Sequence, residues 1–318
     1  MSNIIETPWT NMKPPLGGGL TTLRVKEEKS NQWYWIRSAE GYYGVAIQLT
    51  SVEENTTSTV QGTAKINIAR VTDSNGDHYL GVVINSSELA TVFHRLCLDL
   101  MSACSYSKSP DEIIAILKRR VLAWQRLFEK GNRKLSPEKC LGLIAEIKFL
   151  KDHWLNGKPP HSLSGWVGPT GAPQDFKDEA TGLLVEIKSH SFDSSIVKIS
   201  SKEQLDSQNP MFLVAYPGSL TSDANKGKTL NKYVEETRKN LPADKYSDFD
   251  ERLLSAGYVQ DPYYDEMKFQ VGEAKAYKVE KEFPRLTKDS LPIAIGRVRY
   301  DIDLSLATDW ACSISDIS

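Results

Sequence analysis

Asp175, Glu186 and Lys188 lie in one short stretch, Gly171 to His190, whose pattern is that of a β-hairpin. Phe176, Val185 and Ile187 are apolar and alternate with Asp175, Lys177, Glu186 and Lys188, as two strands with one buried face require. Between them Glu179-Ala180-Thr181-Gly182 reads as a tight turn with glycine at its last position. With Ala180 and Thr181 as the loop, Phe176 falls opposite Val185 and Asp175 opposite Glu186. Facing carboxylates repel unless a cation lies between them, and hard divalent ions take carboxylate oxygens. Lys188, two residues beyond Glu186, emerges on the same face. The stretch has the makings of a divalent-cation site with an ammonium beside it.

The elements around the hairpin add to this set. Ser136-Pro137-Glu138 opens a helix on which Leu143, Ile144, Ile147, Leu150 and Trp154 line one side. Glu146 falls on that apolar stripe, where an ionised carboxylate needs a partner, either a salt bridge at the stripe edge or a metal. After the hairpin, SSIVKIS reads as a strand, SKEQLDSQ as a short helix bearing Gln204, and MFLVAYP as a buried strand. Strand, helix and apolar strand in that order describe a parallel crossover in a covered sheet.

Upstream, residues 1 to about 30 are Pro- and Gly-rich (Pro14-Pro15, then Gly17 to Gly19), followed by a charged run from Lys26 to Lys29, and read as an extended lead-in. WYWIR, YYGVAIQL, AKINIARV and YLGVVI are strand-like, separated by turn signals such as Ser74-Asn75-Gly76-Asp77, and predict an antiparallel sheet of hairpins. A helix is expected from about Ser87 to Cys104. The next has Ser109 as cap, Pro110 at its first position, Glu112 completing a capping box and Gly131 at its end. Its Lys118, Arg119, Arg120, Arg126 and Lys130, with Arg133 and Lys134 beyond, read as a solvated face or as a phosphate-contacting one. Helices around Thr229–Leu241 and Asp244–Ala256 precede strands in FQVGEAKAYKVEKEF and AIGRVRYDIDL. The expected division is a β-rich N-terminal domain over 1–105 and an α/β domain over 106–318.

The order helix acid (Glu146), PQD (Asp175), EIK (Glu186-Ile187-Lys188) and later polar residue (Gln204) resembles the PD-(D/E)XK nuclease superfamily, over roughly residues 137–216. Gln174 between Pro173 and Asp175 departs from the first motif. More loosely, the whole layout with YKVEKEFPRL and LPIAIGRVRYDIDL is similar to prokaryotic PD-(D/E)XK proteins encoded in restriction and phage-defence neighbourhoods. The resemblance implies a restriction-endonuclease-like mixed sheet flanked by helices, preceded by the antiparallel β domain. It implies a Mg²⁺-dependent DNA endonuclease, with Mn²⁺ able to substitute, as the cleaving component of a restriction or anti-phage system. The metal would be held by Asp175, Glu186, the Ile187 carbonyl and Glu146. Lys188 would orient or deprotonate the attacking water, and Gln204 would hold a water or a phosphate oxygen. A non-catalytic nucleic-acid-binding or assembly subunit of the same fold is the alternative. DNA, defence-system proteins and a second copy of the chain are the expected partners, and RNA stays open as substrate.

Composition narrows the field without choosing. The 318 residues are 40% hydrophobic and 25% charged, with a formal net charge of −2. That balance argues against a chain that coats nucleic acid through a global positive field but leaves a local basic groove open. Nothing approaches the roughly 20 continuous apolar residues of a membrane span, and the N-terminus lacks a basic segment followed by an apolar core, so the expectation is a cytoplasmic protein. Cys97, Cys104, Cys140 and Cys312 form no CxxC pair, and no P-loop is present. His190 shares the Lys188 face, where an ordinary surface histidine is the plainer reading; Trp166, in GWVGPTG, could stack on a base but is more ordinarily a core residue.

Overall fold

The computed structural model describes residues 7–16, 19–26, 32–48, 66–73, 77–86, 89–105, 107, 109–129, 134–157, 160–223 and 225–317. Contacts divide the chain into residues 1–133 and 134–318, a later break than the one expected after 105.

The first unit is a five-stranded antiparallel sheet in the order β1-β2-β3-β5-β4, built from β1 (Leu20–Arg24), β2 (Trp33–Ser38), β3 (Tyr43–Gln48), β4 (Ile66–Thr72) and β5 (His78–Ile84). β1 lies inside the stretch expected to be a lead-in. It pairs along its whole length with β2, and its weak burial explains why it carries so little apolar signal. Helix α1 (Ala90–Cys104) buries Phe93, Leu96, Cys97, Leu100 and Cys104. Helix α2 (Pro110–Glu129) starts as its caps predict, with the Glu112 N–H donating to Ser109 Oγ at 3.2 Å. It belongs to this unit because Arg120, fully buried, pairs with Asp99 of α1 at 3.2 Å, and Trp124 Nε1 donates to the same carboxylate at 2.9 Å. Arg120 is thus a core ion pair and no phosphate contact. Lys134, in the second unit, pairs with Asp261 at 3.2 Å. The Arg126 side chain, Lys130, Gly131 and Arg133 lie outside the described residues, as do Gly17, Gly18, residues 27–29, Ser74 to Gly76 and Ser87.

The second unit is mixed α/β. Its elements are α3 (Pro137–Phe149), β6 (Phe176–Lys177), β7 (Leu184–His190), β8 (Ile196–Ile199), β9 (Met211–Leu220), β10 (Lys228–Thr229), α4 (Leu230–Asn240), α5 (Tyr246–Ser255), β11 (Lys268–Val271), β12 (Lys275–Lys278), β13 (Tyr300–Asp303) and β14 (Ala311–Cys312). β9 is the axis of a seven-stranded curled sheet. β7 runs parallel to it on one edge, with Glu186 beside Leu213. β11 and β12 run antiparallel to it on the other edge, separated by Gly272, Glu273 and Ala274, and β6, β10 and β14 extend the flanks. Residues of α3, α4 and α5 share one core with Val185, Ile187, Val214 and Tyr216.

The opposite face holds the main departures from expectation. β8 leaves the crossover path and pairs with β13 in a separate two-stranded ribbon. Its Val197, Ile199 and Ile302 pack on Leu184, Leu213 and Ala215. The expected helix in SKEQLDSQ is a single 3-10 turn, Lys202–Gln204, because the ribbon already covers the apolar surface a helix would bury. In AIGRVRYDIDL only residues 300–303 are strand. Helices therefore cover one face of the sheet, and a β ribbon covers the other. Among the described residues no helix is long and apolar enough to cross a membrane.

Candidate active site

The hairpin has the register its pattern predicts. Phe176 pairs with Val185 and Lys177 with Leu184, and continuing that register sets Asp175 opposite Glu186. Asp178 fixes the turn, its carboxylate accepting from Thr181 N at 3.2 Å and Thr181 Oγ1 at 2.6 Å. Gly182 closes the turn at φ 74°, a backbone state that a side chain resists.

Asp175 is locked at the start of β6. Its Oδ2 accepts the Ile187 N–H at 2.8 Å. Its own carbonyl accepts from Val167 N at 2.8 Å and Gly168 N at 2.9 Å, so the GWVG segment lies along the outer edge of the hairpin. A Cβ on Gly168 would stand 2.6 Å from Asp175 Oδ1 and 3.0 Å from Asp175 Cα. Gly168→Ala is therefore expected to push the carboxylate aside and, by the cost of roughly ångström-scale misplacement, to lower activity about 10²-fold. A metal titration of the variant checks this, since an unchanged affinity would mean that Asp175 had not moved.

Glu186 is fully buried, and Lys188 Nζ stands 2.6 Å from its Oε1. Glu186 Oε2 has no hydrogen-bond partner among the described residues. Lys188 also donates to Gln204 Oε1 at 3.1 Å, and that oxygen accepts the Ser200 N–H at 2.7 Å. Gln204 thus spends its carbonyl oxygen on holding the lysine, where it was expected to hold a water or a phosphate. Gln174, the insertion in the first motif, bonds from Nε2 to the carbonyl of Glu203 at 2.7 Å and ties the hairpin to this turn.

Glu146 arrives from α3. The chain widens into one π-helical turn, Leu150–Trp154, just beyond it. The partner its stripe position demands is the Trp166 indole, whose Nε1 donates to Oε2 at 2.8 Å. Trp166 is fully buried, packed near-parallel to Phe176 and against Phe249, and its carbonyl is bonded by Arg252. Trp166 is therefore a holder of Glu146 and is not free to stack on a base. Nothing in the sequence links the two residues except an indole N–H that needs an acceptor when buried. His190 is half-buried, with Nδ1 2.9 Å from the Ser191 carbonyl.

The three acids act on one another. Burial, and then the Asp175 charge, raise the carboxyls of Glu146 and Glu186 well above the ordinary range. Burial pushes Asp175 up to about 6, against the pull of Lys188 and the Ile187 N–H. Each acid thus favours its protonated form until a cation offsets its charge.

A family model described as "Putative PD-(D/E)XK family member, (DUF4420)" matches residues 5–305. The chain belongs to this family. No curated protein and no solved structure matches it. The PD-(D/E)XK superfamily consists in the main of nucleases that use divalent metals, so the fit of such an ion to these residues matters. Among the described residues no group of three or more Asp, Glu, His or Cys side chains gathers as a ready-made metal cage. The strand pleat explains this for the PD-(D/E)XK site. Glu186 shares its face with Leu184, toward the ribbon, while Glu146 comes from the helix on the other face. What does fit is the donor chemistry: hard carboxylate oxygens, crowded and desolvated, one of them, Glu186 Oε2, buried and unpartnered. The Ile187 carbonyl leaves its strand on the same edge as its N–H, toward Asp175.

Proposed function

We propose that this protein is a divalent-metal-dependent endonuclease that hydrolyses DNA phosphodiester bonds, with Mg²⁺ as its ion and Mn²⁺ substituting. The observation that carries the reading is the Asp175–Glu186–Lys188 constellation, in which the buried Glu186 has a carboxylate oxygen without a hydrogen-bond partner among the described residues. Burying such an oxygen without a partner costs about 1–3 kcal/mol or more, a cost that folding accepts where a ligand recovers it.

Asp175 and Glu186 would hold the ion, with the Ile187 carbonyl and Glu146 as further oxygen donors. A bound divalent ion supplies positive charge to the phosphate oxygens and to the leaving oxygen. The remaining work belongs to the chain. Lys188, steered by Gln204, presents Nζ to the attacking water: as the ammonium it orients the water and offsets phosphate charge, and as the neutral amine, its own proton having first passed to solvent, it takes up the water's proton. Trp166 keeps Glu146 in its rotamer. We assign the protein, on the resemblance of its layout to PD-(D/E)XK proteins of restriction and phage-defence neighbourhoods, to the cleaving role in such a system, acting with partner proteins or as a homodimer.

Purified protein is expected to nick or cut DNA with Mg²⁺ or Mn²⁺, to be silent in EDTA, and to lose the activity in Asp175→Ala. Equal activity in wild type and Asp175→Ala would sink the proposal. Mn²⁺ at about a hundred times its Kd should stabilise the wild type by about 2.7 kcal/mol. The rise in melting temperature should vanish in Glu186→Ala. A DNA-binding module without catalysis would bind DNA and show neither response.

A further inference from the structure

The second unit carries an arm that the chemistry above leaves unused. Residues 291–299 run without strand or helix between the 3-10 turn Lys288–Ser290 and β13. Ile293 is fully exposed and Ile295 is exposed beside it. Arg297 and Arg299 are exposed, and their guanidinium groups make no hydrogen bond or ion pair among the described residues. Large apolar groups in water beside unpaired guanidiniums are costly or idle in the isolated chain, which is the mark of a surface with a partner.

The arm stands at the rim of the site. Arg299 directly precedes Tyr300, whose partner across the ribbon is Ile199. Lys202 Nζ donates to the Gly296 carbonyl at 3.4 Å. Lys202 also opens the turn that ends on Gln204, the residue that holds Lys188. Tyr300, at the foot of the arm, has a phenol raised by burial, and Glu186 is among the charges that act on it. The acids around the same stretch are Glu203, Asp289 and Asp301, all exposed, the last opposite Lys198 across the ribbon, and Asp206, which accepts the Lys288 N–H at 2.8 Å.

Guanidinium forks match phosphate oxygens, and apolar side chains flanked by arginine act as wedges in the minor groove. We infer that residues 291–299 form the arm by which the site holds double-stranded DNA, with Arg297 and Arg299 on backbone phosphates and Ile293 in the minor groove. The inference rests on the nuclease reading and names the surface through which that site meets its substrate.

The test uses the full chain carrying Asp175→Asn, which removes one buried carboxylate and prevents cleavage, and measures anisotropy of a fluorescein-labelled duplex in EDTA over a range of salt. Adding Arg297→Ala and Arg299→Ala should weaken binding about tenfold or more and flatten the log K against log salt slope by about 2, at about 0.9 per phosphate lost. Ile293→Ser should weaken binding at every salt concentration without changing the slope. Melting temperatures should stay within a few degrees, since the replaced side chains are exposed. Unchanged affinity and slope would overturn the arm while leaving Mg²⁺-dependent cleavage by wild type, and with it the nuclease reading, intact. No duplex binding, or equal loss on single-stranded RNA alone, would overturn the assignment to DNA. Failure of wild type to cleave with either metal is a separate result and removes the nuclease reading itself.

Discussion

Asp175→Asn is expected to melt at a higher temperature than wild type in metal-free buffer at pH 8, and to be inert as a nuclease. The sign follows from the direction of the shift. Asp175 has a folded value of about 6 against an ordinary 3.8, so folding favours its protonated form. The stability tied to that proton is complete below the ordinary value and is lost as pH rises through about 6. Above that, a part-buried anion sits among two other acids, and removing its charge should return about 2 kcal/mol after a discount for its partial exposure. The amide keeps an oxygen for the Ile187 N–H, so the lock on the hairpin survives. The same titration governs loading. Below about pH 6 a metal must displace the proton from Asp175, and its affinity should fall roughly tenfold per pH unit. Thermal melts of both proteins from pH 5 to pH 8, with and without Mn²⁺, test the whole chain of argument. A variant no more stable than wild type in EDTA at pH 8 would mean that the acids are not in conflict.

Lys188→Met should lower the rate of cleavage by about 10²–10⁴, the usual contribution of a positioned proton-transfer group, while leaving the metal-induced rise in melting temperature in place. The ammonium is 2.6 Å from Glu186 and 3.1 Å from Gln204 and competes with a cation for the same carboxylate. Its removal should therefore leave metal binding as tight or tighter. Single-turnover cleavage beside a metal titration separates the two effects. A parallel loss of rate and metal affinity would make Lys188 a structural prop, and an unchanged rate would exclude it from proton transfer.

Much of the arrangement follows from local rules that a sequence displays. The hairpin register comes from one alternation and one turn, and the structure keeps it because a slip by one residue would turn Lys177 and Glu186 into the helix-side core in place of Phe176 and Val185. Ser136, Pro137 and the apolar spacing likewise specify α3. What was illegible is non-local. The β8–β13 pairing joins segments whose own patterns contain no hint of one another, and the ribbon displaced the helix expected in SKEQLDSQ. Arg120 reads as one of several surface cations until Asp99 is seen beneath it. The indole of Trp166 and the missing Cβ of Gly168 matter through contacts with Glu146 and Asp175 that spacing alone does not reveal.

The ribbon also imposes an order of events. Ser195 and Asp303, which bond at 2.5 Å at its end, are 108 residues apart along the chain. During synthesis β6, β7 and β9 can all pair before β13 leaves the ribosome, but the face toward which Glu186 points stays uncovered until it does. Closure by so distant a contact is slow relative to local pairing. The acids are thus assembled early, while the arm of residues 291–299 and then the second strand of the ribbon follow later, so a chain cut short before residue 291 carries the proposed metal ligands without the surface inferred to bring DNA to them.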